Sequence, residues 1–153
     1  MNNFKILLLG DGNVGKTAFI KSFLQDSFEE IYIPTLDLDI FSFSKENNIY
    51  NFWDYAGQDK YRGIKNNFRN AQGVIFFFDL SNENSLKNLK NWIENCYRVT
   101  GNIPFVIVGL KFDMIQTIKD EDIYRCIGNA PFVKVSSKTK ENLEKPFEIL
   151  KIV

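Results

Sequence analysis

The stretch that decides how this chain folds runs from Phe4 to Leu9, "FKILLL", into Gly10-Asp11-Gly12-Asn13-Val14-Gly15-Lys16-Thr17, and on into "AFIKSFL". A largely apolar run, a loop with three glycines and a helix-like segment follow one another without a gap. The order fits G-x-x-x-x-G-K-[S/T] placed between a strand and a helix. Glycines let such a loop curl until successive backbone N–H groups converge on phosphate oxygens. The positive dipole end of the helix starting near Lys16 adds to their pull. Lys16 would reach the β- and γ-phosphates, and the Thr17 hydroxyl would meet Mg²⁺. The plainer reading is a glycine-rich turn with a solvated lysine, and the correct flanks weigh against it. The motif indicates a nucleoside triphosphate and is silent on its base.

Outward from the loop, strand-like and helix-like segments alternate. Gly73–Asp79, Phe105–Leu110 and Phe132–Val135 repeat the apolar character of the first run, as strands buried on both faces of a parallel sheet do. Leu36–Phe43 ("LDLDIFSF") alternates with period two, which predicts a strand with one solvated face at an edge of the sheet. Ile49–Trp53 follows after "KENN", and the two read as a hairpin. Helices are predicted at 16–24, at about 64–69, at 84–97, near 120–127 and at 141–152. In the third of these, Leu86, Leu89, Ile93 and Cys96 share one stripe. The alternation predicts a doubly wound α/β sheet, where ligands bind at the carboxyl ends of the strands.

Bulk properties narrow the class. A chain of 153 residues has room for one full hydrophobic core, so a single domain over 1–153 is expected. Formal net charge is zero, which argues for neither a nucleic-acid nor an anionic-membrane partner. Histidine is absent, so acid–base chemistry falls to other groups. Cys96 and Cys126 have no metal spacing and read as reduced, buried thiols. No apolar run approaches the roughly 20 residues of a membrane span. The start "MNNF" offers no signal peptide or myristoylation site, and the end "FEILKIV" no cysteine to prenylate. The expectation is a soluble intracellular protein without a membrane anchor, cytoplasmic or nuclear.

The other strand ends carry more chemistry. In "WDYAGQD", an aspartate leaving a strand beside a phosphate site suits Mg²⁺, so Asp54 is a candidate metal residue. Gly57 lets a backbone N–H approach a terminal phosphate, and Gln58 can orient a water for in-line attack. In "YIPTLDLD", Pro34 stiffens the segment before Thr35, a second hydroxyl for Mg²⁺. Taken alone, Asp54, Gln58 and Thr35 read as a turn residue, solvated surface and a strand start. The phosphate loop tips each the other way. In "VGLKFDM", a carboxylate at Asp113 can accept from N1–H and the exocyclic amine of guanine, a pair that adenine lacks. The stem of Lys111 can lie over the purine. In "VSSK", the backbone N–H of Ser137 can meet a guanine carbonyl. A helix cap and a Ser-rich turn are the plain alternatives for these last two.

These five stations, in this order and spacing, resemble the small GTPases of the Ras superfamily over Lys5 to Ile152. Within the superfamily the chain looks most like Ran, with Rab second, on "LGDGNVGKTAFIKSFLQDSFEEIYIPTL", "YNFWDYAGQDKYRGI" and "KNWIENCYRVTGNIPFVIVG". The resemblance implies a mostly parallel six-stranded sheet with five helices, a monomer, GTP/GDP with Mg²⁺, and two switch segments at about 28–39 and 57–68. An activating protein, an exchange factor and effectors would read those segments. It also implies that Ala18, Phe28, Ser136 and Lys138 join the nucleotide contacts, Phe28 against the base, and that Gln58, Lys16 and Thr35 serve hydrolysis.

The chain departs from the pattern in places. An acidic C-terminal tail and a basic cluster before the last strand are missing, which counts against Ran's transport role. Missing C-terminal cysteines count against a membrane-cycling Rab. Leu110 stands where most of the family has Asn and some Thr, and it forfeits the bonds that tie the base loop to the phosphate loop. Such a loss costs about 1–3 kcal/mol, roughly a tenfold to hundredfold in affinity. Tyr55 and Asp37 are unusual as well. The leading expectation is a GTP-binding switch with slow Mg²⁺-dependent hydrolysis. The alternatives are a nucleotide-binding interaction module that hardly hydrolyses, and an ATP-using P-loop kinase, against which Asp113 and the lack of an arginine-rich lid both argue.

Overall fold

The structure, a computed structural model, describes residues 1–25, 29–35, 38–55 and 68–152, with 29–35 described for the backbone alone. Strand β1 (Asn2–Gly10) lies at its centre, hydrogen-bonded in parallel to β4 (Asn48–Tyr55) on one side and β5 (Gly73–Asp79) on the other. From Ile6 onward both faces of this central strand are covered, which is why Ile6–Leu9 is apolar without alternation. Ile6 and Leu8 enter the core on one face, Leu7 and Leu9 the core on the other.

The full sheet order is β2-β3-β4-β1-β5-β6-β7. Here β2 is Glu29–Thr35, β3 Leu38–Lys45, β6 Phe105–Leu110 and β7 Phe132–Lys134. β2 to β4 are joined antiparallel, and β1, β4, β5, β6 and β7 run parallel. The doubly wound, mostly parallel sheet is therefore as expected, and it carries seven strands rather than six. The extra strand, β2, pairs with β3 and takes the edge position that the alternation had suggested for 36–43. β3 is interior, and its period-two pattern reflects partial exposure of one face, at Asp39 and Phe43. The hairpin at 45–48 is present, with Glu46 in the left-handed region at φ 56°.

Four helices occur among the described residues: α1 (Lys16–Phe23), α2 (Glu83–Thr100), α3 (Asp120–Ile127) and α4 (Lys145–Ile149). The helix expected at about 64–69 falls almost wholly outside those residues. The helix expected over 141–152 shrinks to five residues. Pro146 can sit only in a first turn, and Asn142 and Lys151 on either side have φ of 59° and 61°. The stripe on α2 faces the core: Leu86, Leu89 and Cys96 are buried, Ile93 is half-buried against the same cluster, and Trp92 joins them. Asn82 caps the helix by accepting from Ser85 N–H at 3.3 Å. Cys126 corrects the expectation of two buried thiols. It is exposed, because on the short α3 the core is met by Ile123 and, in part, Ile127. No helix of the described residues is long and apolar enough to cross a membrane.

Candidate functional site

The phosphate loop leaves β1 at Gly10, whose position admits no side chain. A Cβ there would lie 2.4 Å from the Phe77 carbonyl oxygen of β5. Asn13 and Gly15 take left-handed conformations, at φ 67° and 107°, and turn the chain into α1. Val14 points down into the core beneath, and the loop is thus pinned from below. Lys16 is buried at 4% exposure, and its ammonium donates to the carbonyls of Gly10 at 2.9 Å and Asp11 at 2.8 Å. Burial lowers its pKa to about 8, against the pull of Asp54 and Asp11. A cation so held stands next to the N-terminus of α1, where the backbone amides also favour an anion.

Across from the loop, Thr17 Oγ1 donates to Asp54 Oδ2 at the end of β4. Burial raises the Asp54 pKa to about 6, against the Thr17 bond and the Lys16 charge. Its other oxygen, Oδ1, is buried and has no hydrogen-bond partner among the described residues. A carboxylate oxygen with an open lone pair beside a hydroxyl is a donor set that hard divalent cations take. These two residues fit Mg²⁺.

The base side is built by β6 and the loops after it. Lys111, in the left-handed region at φ 66°, sends its ammonium to Asp79 Oδ2 at 2.8 Å and to the Asn13 carbonyl at 3.1 Å. Burial alone would raise the Asp79 pKa, but the bonds from Lys111 and Ser81 outweigh it and hold it below the usual carboxylate value. Asp113 Oδ1 accepts from the fully buried Ser136 hydroxyl at 2.8 Å, which leaves Oδ2 for other partners. Ser136 thus orients the carboxylate from behind. The Ser137 carbonyl accepts from Ser22 of α1 at 2.9 Å and ties this loop to the helix that starts at the phosphate loop.

Between the two sides lies a cavity of about 340 Å³. Val14, Gly15 and Ala18 line it from the phosphate loop and α1, and Lys111, Asp113, Ser137 and Lys138 from the opposite side. Its size suits a small-molecule ligand. Leu110 forms part of its floor, with its Cδ1 3.6 Å from where a Gly15 Cβ would be. The polar link between the two loops is instead the Lys111 ammonium on the Asn13 carbonyl.

The structure therefore brings together the phosphate loop, Thr17, Asp54, Lys111, Asp113 and the Ser136–Lys138 turn. Phe28, Gly57, Gln58 and Asp37 lie outside the described residues, as does the side chain of Thr35. Asp11 has an orientation the sequence reading did not foresee. Its carboxylate turns away from the cavity toward α2, accepting from Asn88 Nδ2 at 2.6 Å and Trp92 Nε1 at 2.9 Å. Asp79 was missed, although it ends the apolar run of β5 as Asp54 ends β4. Nothing local marks Asn88 and Trp92.

A model of the Ras family matches residues 5–152. That span takes in every loop just described, and the chain belongs to the Ras family of GTP-binding switch proteins.

Proposed function

We propose that the protein binds GTP and GDP with Mg²⁺, hydrolyses GTP slowly, and passes its nucleotide state to partners through segments at about 28–39 and 57–68. The observation that carries this reading is the cavity lined at once by the phosphate loop and by Asp113. A purine placed there faces a carboxylate, while its phosphates reach the Lys16 ammonium and the loop amides. Asp113, held by Ser136, selects guanine through paired donors. Thr17 and Asp54, with Thr35, would hold Mg²⁺, which when bound neutralises phosphate charge. Lys16 holds the β- and γ-phosphates, and Gln58 orients the attacking water.

Ras itself turns over GTP at on the order of 10⁻⁴ s⁻¹, and about 10⁵-fold faster with an activating partner. A similar dependence is expected here, with an exchange factor and effectors using the same segments. Nucleotide released by denaturing the purified protein should be guanosine di- or triphosphate. Recovery of adenosine nucleotides alone would refute the reading. Single-turnover hydrolysis should collapse in Gln58→Leu, and an unchanged rate would remove Gln58 from its role.

Leu110 favours a second reading, a nucleotide-dependent interaction module with little hydrolysis. Phosphate release followed over hours, with and without cell extract, separates the two. Of the superfamily branches, Ran fits the quoted segments better than Rab.

A further inference from the structure

Asp11 poses a problem for a loop that binds phosphate. Its carboxylate is a negative charge carried on the loop itself, and aimed at the cavity it would repel the ligand. Instead both oxygens are bonded by α2, one by the Asn88 amide at 2.6 Å and one by the Trp92 indole at 2.9 Å. Two donors on an anion make strong, directional contacts. Trp92 is fully buried, and α2 is seated on the sheet by Leu86 and Leu89, so the donors are rigidly held. The carbonyl of the same residue, Asp11, is one of the two that carry the Lys16 ammonium.

We propose that Asn88 and Trp92 are positioning residues for the nucleotide: by holding both oxygens of Asp11 they fix the backbone that aims Lys16 and the loop amides at the phosphates. The inference rests on the guanine-nucleotide reading above, and it assigns α2 a part in ligand affinity without touching the ligand.

The test is the release of fluorescently labelled GDP, measured in the presence of Mg²⁺. Asn88→Asp keeps the shape and sets two carboxylates against each other, and release should become roughly tenfold faster or more. The exchange Asp11→Asn with Asn88→Asp restores both bonds, because the amide introduced at position 11 would donate to the new carboxylate while its oxygen accepts from Trp92. Release should return to near the wild-type rate. A spectroscopic reading follows from the two tryptophans of the chain. In a Trp53→Phe background Trp92 is the remaining indole, and its emission should change when nucleotide is stripped with EDTA. That change should vanish when Asp11→Ala removes the carboxylate.

Equal release from wild type and Asn88→Asp would overturn the inference. So would a double variant no slower than the single one, or an emission change that survives Asp11→Ala. Failure of the wild type to bind labelled GDP at all is a different result, and it would take down the nucleotide reading itself.

Discussion

Asp54 is a buried acid with one oxygen left unbonded among the described residues, and replacing it should separate stability from the proposed function. Its pKa rises from 3.8 to about 6 on folding, chiefly through burial. The folded state thus favours the protonated form. Asp54's contribution to stability is complete below pH 3.8 and is lost as pH rises through about 6. The rise in pKa corresponds to ~3 kcal/mol at neutral pH. Asp54→Asn removes that cost and leaves an oxygen for the Thr17 hydroxyl. It also withdraws the carboxylate that favours the Lys16 charge. A net gain of about 2 kcal/mol is expected, or roughly 4–8 °C in melting temperature for a chain of this size. The assay is thermal unfolding of nucleotide-free protein in EDTA at pH 7.5 and pH 5. The variant should melt higher at pH 7.5, and the difference should shrink at pH 5, where the wild-type acid is largely protonated. With Mg²⁺ and GDP present the order should reverse, because ligand stabilises whichever form binds it. Equal melting in EDTA at pH 7.5, or a gap no smaller at pH 5 than at pH 7.5, would refute the argument.

Leu110→Asn should add a second polar link between the two loops, beside Lys111 on the Asn13 carbonyl, and slow release of labelled GDP roughly tenfold or more; equal rates in stopped flow would show that the leucine costs nothing. Lys111→Met leaves the Asp79 carboxylate with Ser81 alone, and about 1–3 kcal/mol should be lost in urea unfolding at pH 7. Because Asp79 lies below its ordinary pKa, its stabilisation is present above pH 3.8 and fades as pH falls. The Lys111→Met deficit should therefore narrow in acid. Gly10→Ala drives a Cβ against the Phe77 carbonyl, and a loss of more than about 4 kcal/mol, read as insoluble or unfolded protein by circular dichroism, is expected.

The parts of the fold most legible in the sequence were those where local chemistry and tertiary role coincide. Ile6–Leu9 of β1, Val74–Phe78 of β5 and most of β6 are apolar because both faces of the sheet are covered there, and that burial writes itself into successive residues. The phosphate loop is equally plain, since its glycines answer a local demand on the backbone. β2 was not legible as a strand. "EEIYIPT" contains Pro34, and its pairing is set by β3 rather than by its own pattern. The C-terminal helix was overread because the apolar residues near 143–152 keep helical spacing while Pro146 and two left-handed residues confine the turns. In the site, Thr17, Asp54 and Asp113 could be found because each closes a strand or a motif. Asn88 and Trp92 could not, for their importance arises from Asp11, some 77 and 81 residues away.

The loop between β1 and α1 is fastened on both sides of the sheet, with Val14 packed in one core and Asp11 bonded to the helix covering the other. The loop precedes its anchors in the chain and so leaves the ribosome before them: α2 first, then Leu110 and Lys111. A nascent chain that has exposed only its first half would carry the complete motif and still be unable to clasp a nucleotide. Ligand capture would thus wait until Lys111 has emerged, and a chain stalled before it would present a loose loop to the cell's quality-control machinery.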